Sequence, residues 1–299
     1  MKLGLLLTAV IMMNTAVSAK ELAILFIGNS MSAAAGGQQE LVTAQLRSQG
    51  WTIKMAKSYG PGMTLAGHWY NNLGQLDIWR RVQIENKLER LADLKEFDEE
   101  YELAWQNEQD RREWFLKRKG MFDAALAQQV HWDFVVLQIS GKEPLDPEYY
   151  QTHEAALWLL NQIRAHSADT KIILYVPWPY ACHEDKVSQY ITFRKQMVEQ
   201  YQLYTSIPII EARSYARVTR PKLAIHRSPG NHHPGYDGGY LIANLLYIAI
   251  TGESPVGLPN TLQVAETYDF KGTKFSIATE NAQFLQEIAW KSYLEHGLP

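Results

Sequence analysis

Cysteine is nearly absent: one residue, Cys182, in a chain of 299. An internal disulfide and any multi-cysteine zinc site are therefore excluded. A surplus of one charge is lacking too. Lys and Arg total 29 against 32 Asp and Glu, a formal charge of −3, so the chain has no basic stripe for nucleic acid. No apolar run approaches the roughly 20 residues that cross a bilayer, which argues against a membrane span. There is no Gly-x-Ser-x-Gly elbow of the α/β-hydrolase kind. Nor is there a phosphate loop, a dinucleotide glycine signature or a His-Glu-x-x-His pair, and nothing calls for a cofactor or a metal. What remains is a chain with 46% hydrophobic and 20% charged residues, enough apolar material for a packed core and too much for disorder.

The first 19 residues read as an export signal. Lys2 provides the positive start, residues 3–13 a short apolar run, and Val17-Ser18-Ala19 the small residues of a cleavage site. The expected product is secreted or periplasmic after cleavage near Ala19. Cys182 would then sit unpaired in an oxidising compartment, which suits a buried thiol.

Strand-length apolar runs occur at residues 22–28, 51–56, 133–138, 171–177 and 207–210, several nearly continuous in Val, Ile and Leu. Such runs suit strands covered on both faces, as in a parallel sheet. Helical patterns fall at 38–48, 149–166, 184–204, 240–251 and 279–296. The alternation predicts an α/β fold: a doubly wound α/β/α sandwich with a parallel, flavodoxin-like five-stranded sheet, formed by residues 20–299 as one domain. One stretch departs from this pattern. Residues 80–119 hold 11 acidic and 10 basic side chains, with Ile84, Leu88, Leu91, Leu94, Phe97, Tyr101 and Ala104 at helical spacing. That reads as a charged helical insertion. It is either a solvated helix with i,i+4 ion pairs or an arm carrying Trp105, Trp114 and Phe115 for a lid or for self-association.

Four segments carry chemistry. Residues 24–30 form a buried strand that runs into Gly28-Asn29-Ser30. Such a strand sets a serine at the sheet's carboxyl end, either as a nucleophile that needs a base or as a helix cap. Gly60-Pro61-Gly62 follows the second strand, where a glycine N–H can approach a reacting oxygen. A third strand ends at Gln138, whose amide can donate to an oxyanion or tie down a loop. Finally, Asn231-His232-His233-Pro234-Gly235 leads into an apolar helix, and a loop histidine there suits a general base. His226, His232, His233 and Asp237 have metal-ligand chemistry but match no compact ligand spacing.

The order of these segments resembles the SGNH, or GDSL-like, hydrolase superfamily over about residues 22–259, excepting the charged insertion. Gly62-Met63-Thr64-Leu65 with His68-Trp69, Val136-Leu137-Gln138, and Gly239 through Pro255 look like one secreted branch of it. The resemblance implies Ser30 as nucleophile and His233 as base, with an oxyanion hole from Ser30, Gly62 and Gln138. Gln138 stands where the family usually has Asn. Gly230 stands where it has the Asp that orients the histidine, and Asp237 or Glu143 are candidates to replace it. His68, His232, Asp237 and Trp178 are candidate substrate or support residues, with Trp69, Trp178 and Tyr180 able either to stack on a sugar or to serve as core aromatics. The implied activity is that of an exported serine esterase removing an O-acyl, preferably acetyl, group from a carbohydrate or small-molecule ester. The alternative is a weakened or non-catalytic glycan-binding relative.

Overall fold

The computed structural model describes residues 20–34, 37–60, 62–75, 119–228, 231–265 and 273–298. The expected export signal at residues 1–19, Gly230, the side chain of Cys182 and all of the expected helical insertion at 80–119 except Lys119 lie outside these residues.

Five parallel strands form the central sheet: β1 (Lys20–Gly28), β2 (Trp51–Tyr59), β3 (Phe134–Gln138), β4 (Lys171–Tyr175) and β5 (Thr205–Ser206). Their order is β2-β1-β3-β4-β5, the flavodoxin-like arrangement. β1 and β3 are the inner strands that flank the switch point, and both are buried along almost their whole length. Every residue from Leu22 to Ile27 is apolar and buried because both faces are covered by helices. β2 lies at one edge and alternates instead. It turns Lys54 and Lys57 outward, where they pair with Glu21 and Glu40. Charged outward positions keep an edge strand from recruiting another chain.

Ten α- and 3₁₀-helical segments surround the sheet among the described residues. They are α1 (Ser30–Ala33), α2 (Gln38–Ser48), α3 (Leu65–Asn72), α4 (Met121–Leu126), α5 (Thr152–His166), a 3₁₀ segment (Ala181–Lys186), α6 (Val187–Tyr201), α7 (Ile209–Thr219), α8 (Tyr236–Thr251) and α9 (Thr279–His296). α8 packs on α2, α7 and α9, while α3 packs on α4 and α5. α8 is apolar on every side, and Asp237 through Ile250 are all buried, as befits a helix enclosed by sheet and neighbours. Truncating Leu245, fully buried in that helix, would cost about 2–5 kcal/mol. A small antiparallel pair, β6 (Thr261–Gln263) and β7 (Lys274–Ser276), sits outside the main sheet.

Several boundaries differ from the sequence reading. The fifth strand is Thr205–Ser206, not 207–210. Ile207 N–H still donates to the Leu174 carbonyl, but Pro208 has no N–H with which to extend the ladder, and helix α7 begins at Ile209. The helix expected over 184–204 is split. Residues 181–186 form a 3₁₀ segment that is itself kinked at His183, Lys186 leaves helical backbone before α6 begins at Val187, and Gln202 closes α6 in the left-handed region. α5 starts at Thr152 rather than 149, because Gln151 adopts φ 49°.

Candidate active site

The carboxyl end of β1 is fixed before the serine is reached. Asn29 is the N-cap of α1: its Oδ1 accepts the Met31 N–H at 3.0 Å. Its Nδ2 donates to the Met63 carbonyl at 3.0 Å, which binds the loop after β2 to the loop after β1. Ser30 is thereby the first helical residue, not the cap. Its N–H has no acceptor within the helix, and its side chain is half-exposed. Below it, buried His68 on α3 joins two strand ends. Nε2 lies 3.1 Å from the Gly28 carbonyl and Nδ1 lies 3.0 Å from Ser58 Oγ. A carbonyl only accepts, so the proton is on Nε2 and Nδ1 accepts from Ser58. Burial holds this ring at about 4, hence neutral, against the opposing pull of the Gly28 carbonyl. His68 is a support of the strand ends, with no surface open to a substrate.

The histidine loop meets this strand end from two hundred residues away. His233 Nε2 is 3.0 Å from Ser30 Oγ. On the ring's other side, Nδ1 is 3.1 Å from Asn231 Oδ1, and the His233 backbone N–H donates to the same oxygen at 2.8 Å. Two donors aimed at one atom identify it as the oxygen of the amide. Nδ1 therefore carries the proton and Nε2 is free to accept from Ser30. That is the tautomer a serine nucleophile requires. The orienting group missing at position 230 is thus supplied by Asn231. Neither substitute considered from sequence approaches the ring. Asp237, in the first turn of α8, instead accepts the Ala224 N–H at 2.7 Å and so ties the 224–226 segment to that helix. Glu143 is fully buried and accepts from Leu65 N–H, Ser140 N–H and the Thr152 hydroxyl. Asn231 was legible in one respect: an Asx side chain commonly bonds the backbone N–H two residues on, as both Asn29 and Asn231 do here.

The loop is anchored to the core behind it. Trp178 is 1% exposed, so of its two readings, sugar platform or core aromatic, the structure gives the buried one. Its Nε1–H donates to the His232 carbonyl at 2.7 Å. His226 packs edge-on against Trp178 at 5.1 Å and accepts Arg213 Nε–H at 2.9 Å, while the Arg213 guanidinium also grips Glu184. Burial, with Arg213 beside it, holds His226 at about 4 and neutral. Gly238 permits this packing, because a Cβ there would collide with the Ile225 carbonyl. His226 and Asp237 are thus consumed by structural bonds, and among the described residues no three His, Cys, Asp or Glu side chains gather as metal ligands.

The oxyanion residues fare differently. Gly62 has φ 67°, a conformation suited to glycine, in the turn that Asn29 ties beside Ser30 through Met63. Gln138 is 1% exposed, and its carboxamide is folded onto the strand end. Nε2 donates to Asn29 Oδ1 at 3.0 Å, and Oε1 accepts from Asn29 N–H at 3.2 Å and from the Ser32 hydroxyl. The donor expected to face an oxyanion therefore acts as a brace for Asn29, the residue that caps the helix beginning at Ser30. Gly28 leaves room for it, since a Cβ there would strike Gln138 Oε1.

Neither a protein-family model nor a curated protein sequence matches this chain. Among solved structures, it is similar to a DUF4886 family protein from Bacteroides uniformis at 18% identity and TM-score 0.59, over 92% of this chain and 95% of that one. It also aligns with a protein assigned as a GDSL-like lipase from Parabacteroides merdae at 17% identity and TM-score 0.46, over 78% of this chain and 96% of that one. A psychrotrophic esterase from a Pseudoalteromonas species aligns at 14% identity and TM-score 0.40, over 77% of this chain and 97% of that one. The last two scores carry no weight. The first establishes that this chain shares its fold with the Bacteroides uniformis protein.

Proposed function

We propose that the protein is an exported serine esterase that hydrolyses an O-acyl ester, acetyl by preference, on a carbohydrate or other small polyol. The observation that carries this reading is the line Asn231 Oδ1, His233 Nδ1, His233 Nε2, Ser30 Oγ, with 3.1 Å and 3.0 Å at its two joints. It supports a nucleophile, a base in the correct tautomer and an orienting acceptor in one row.

In the proposed mechanism Ser30 Oγ attacks the acyl carbonyl carbon as His233 Nε2 takes its proton. The carbonyl oxygen becomes an oxyanion facing the N–H groups of Ser30 and Gly62. Collapse breaks the ester bond, and the proton on His233 passes to the departing alcohol. Water, deprotonated by His233, then attacks the acyl-serine, releasing the acid and restoring Ser30. Asn231 carries no charge, so it fixes the ring without the electrostatic help that a carboxylate gives the imidazolium. Export after cleavage near Ala19 rests on the sequence of residues 1–19.

One observation favours a second reading, a weakened relative that binds a glycan: the Gln138 amide is committed to Asn29. The test is p-nitrophenyl acetate hydrolysis by wild type and Ser30→Ala. The esterase reading expects a loss on the order of a thousandfold or more. Equal rates would remove Ser30 from the chemistry, and glycan binding with no ester turnover would favour the second reading.

A further inference from the structure

The mechanism leaves one side chain beside the nucleophile without a task. The His232 ring is wedged between two others, its centroid 4.1 Å from Tyr180 and 4.1 Å from His233, with the planes tilted by 45° and 38°. Its main chain is held from behind by Trp178, itself packed against His226 and Arg213. Among the described residues neither ring nitrogen of His232 has a hydrogen-bond partner, and the ring is half-buried. An imidazole this firmly placed, with donor and acceptor both unspent, stands one ring away from the atom that attacks. A packing role alone would be met by a phenyl ring, which carries no desolvated polar atoms.

Resting on the esterase reading, we propose that His232 is a specificity-determining residue: it hydrogen-bonds a free hydroxyl neighbouring the acylated oxygen, so the substrates are partly acylated sugars or polyols rather than esters of simple alcohols. His233 Nε2 must hand its proton to the departing alcohol oxygen, so the alcohol lies on the His233 side of Ser30. The next ring along is His232, and a hydroxyl on the adjacent carbon comes within its reach. Burial, with His233 and Lys142 nearby, holds the His232 ring at about 4. Near neutral pH it therefore offers one N–H and one lone pair. A hydroxyl, which both donates and accepts, satisfies either, whereas a carboxylate could only accept.

The experiment compares kcat/KM for a glucose monoacetate with free neighbouring hydroxyls against p-nitrophenyl acetate, whose leaving group has none. The readout is the ratio of the two in each protein. His232→Phe should lower that ratio about tenfold, through a raised KM for the sugar ester, in line with the loss of one hydrogen bond at a partly desolvated site. His232→Gln, which keeps a donor and an acceptor, should hold the ratio within about threefold of wild type. If the Phe variant does not fold, His232→Ala is read the same way. A ratio unchanged in the Phe or Ala variant, with both rates falling together, would overturn the inference and reduce His232 to a prop for His233. A wild type inactive on both esters, indistinguishable from Ser30→Ala, would instead overturn the esterase reading and this inference with it.

Discussion

Replacing Asn231 probes the feature that separates this site from an acid-oriented triad. Its single Oδ1 receives both the His233 ring N–H at 3.1 Å and the His233 backbone N–H at 2.8 Å. Asn231→Ala removes both hydrogen bonds at once. An orphaned donor costs about 1–3 kcal/mol when buried, and a neutral hydrogen bond is worth about 0.5–1.5 kcal/mol net. Asn231 is half-exposed, so water reaches part of the gap and the lower half of that range applies. The expected loss in kcat/KM is about 5- to 30-fold, the rate equivalent of about 1–2 kcal/mol. That is less than the roughly ten-thousandfold loss where an amide forces the wrong tautomer on a triad built around Asp. Asn231→Asp keeps the geometry and adds a charge. Charge-assisted hydrogen bonds are about twice as strong as neutral ones, and a carboxylate favours the imidazolium formed in the transition state. Activity should rise about tenfold, and the acid limb of the pH–kcat/KM profile should move to higher pH by roughly one unit. The assay is p-nitrophenyl acetate hydrolysis from pH 5 to 9, with circular dichroism to verify folding. An Ala variant as fast as wild type, or an Asp variant that is slower with an unmoved acid limb, would refute the reasoning.

Two further predictions concern the scaffold. Burial pushes the Glu143 carboxyl up to about 7 against the hydrogen bonds from Ser140, Leu65 and Thr152 that favour its charge. The folded protein thus keeps a proton that the unfolded chain, near 4.5, has already released, and stability falls as pH rises between those values, by about 3 kcal/mol in all. Urea unfolding at pH 4.5 and pH 8 should show wild type losing about that much relative to Glu143→Gln; a pH-independent difference would contradict it. Gly28→Ala drives a methyl group into the Gln138 amide and to within 2.9 Å of Ser32 Oγ. Overpacking of this kind costs about 1–3 kcal/mol. The melting temperature and the rate of p-nitrophenyl acetate hydrolysis should fall together, since Gln138 braces the cap of the helix that Ser30 begins; a normal rate would show that brace to be dispensable.

The sheet was largely readable from sequence because its strands are buried on both faces and so are continuous in Val, Ile and Leu. α2 and α9 match their expected bounds, since helical periodicity is uninterrupted there. β5 was not readable, because its apolar run continues past Pro208 into a helix and periodicity alone cannot separate the two. At the site, the serine after the first strand and the histidine loop before α8 singled out two segments, and the family resemblance picked Ser30 and His233 from them. The pairing of Asn231 with His233 was hidden by the search for a carboxylate three residues before the histidine, although the amide stood two before it. Trp178 was ambiguous from sequence because a large aromatic after a strand serves core and ligand equally well. The burial that decides it comes from α8 and the 224–226 segment, remote in the chain. Gln138 was left between oxyanion donor and loop tie for a related reason. Its partners, Asn29 and Ser32, lie more than a hundred residues away, and only the fold brings them within hydrogen-bond distance.

The central claim is that Ser30 is a nucleophile activated by His233. A fluorophosphonate probe followed by peptide mass mapping tests it most directly. The account predicts one phosphonyl group per chain, on Ser30, formed at least a hundredfold more slowly in His233→Ala. Modification at another residue, or at Ser30 with no dependence on His233, would contradict it.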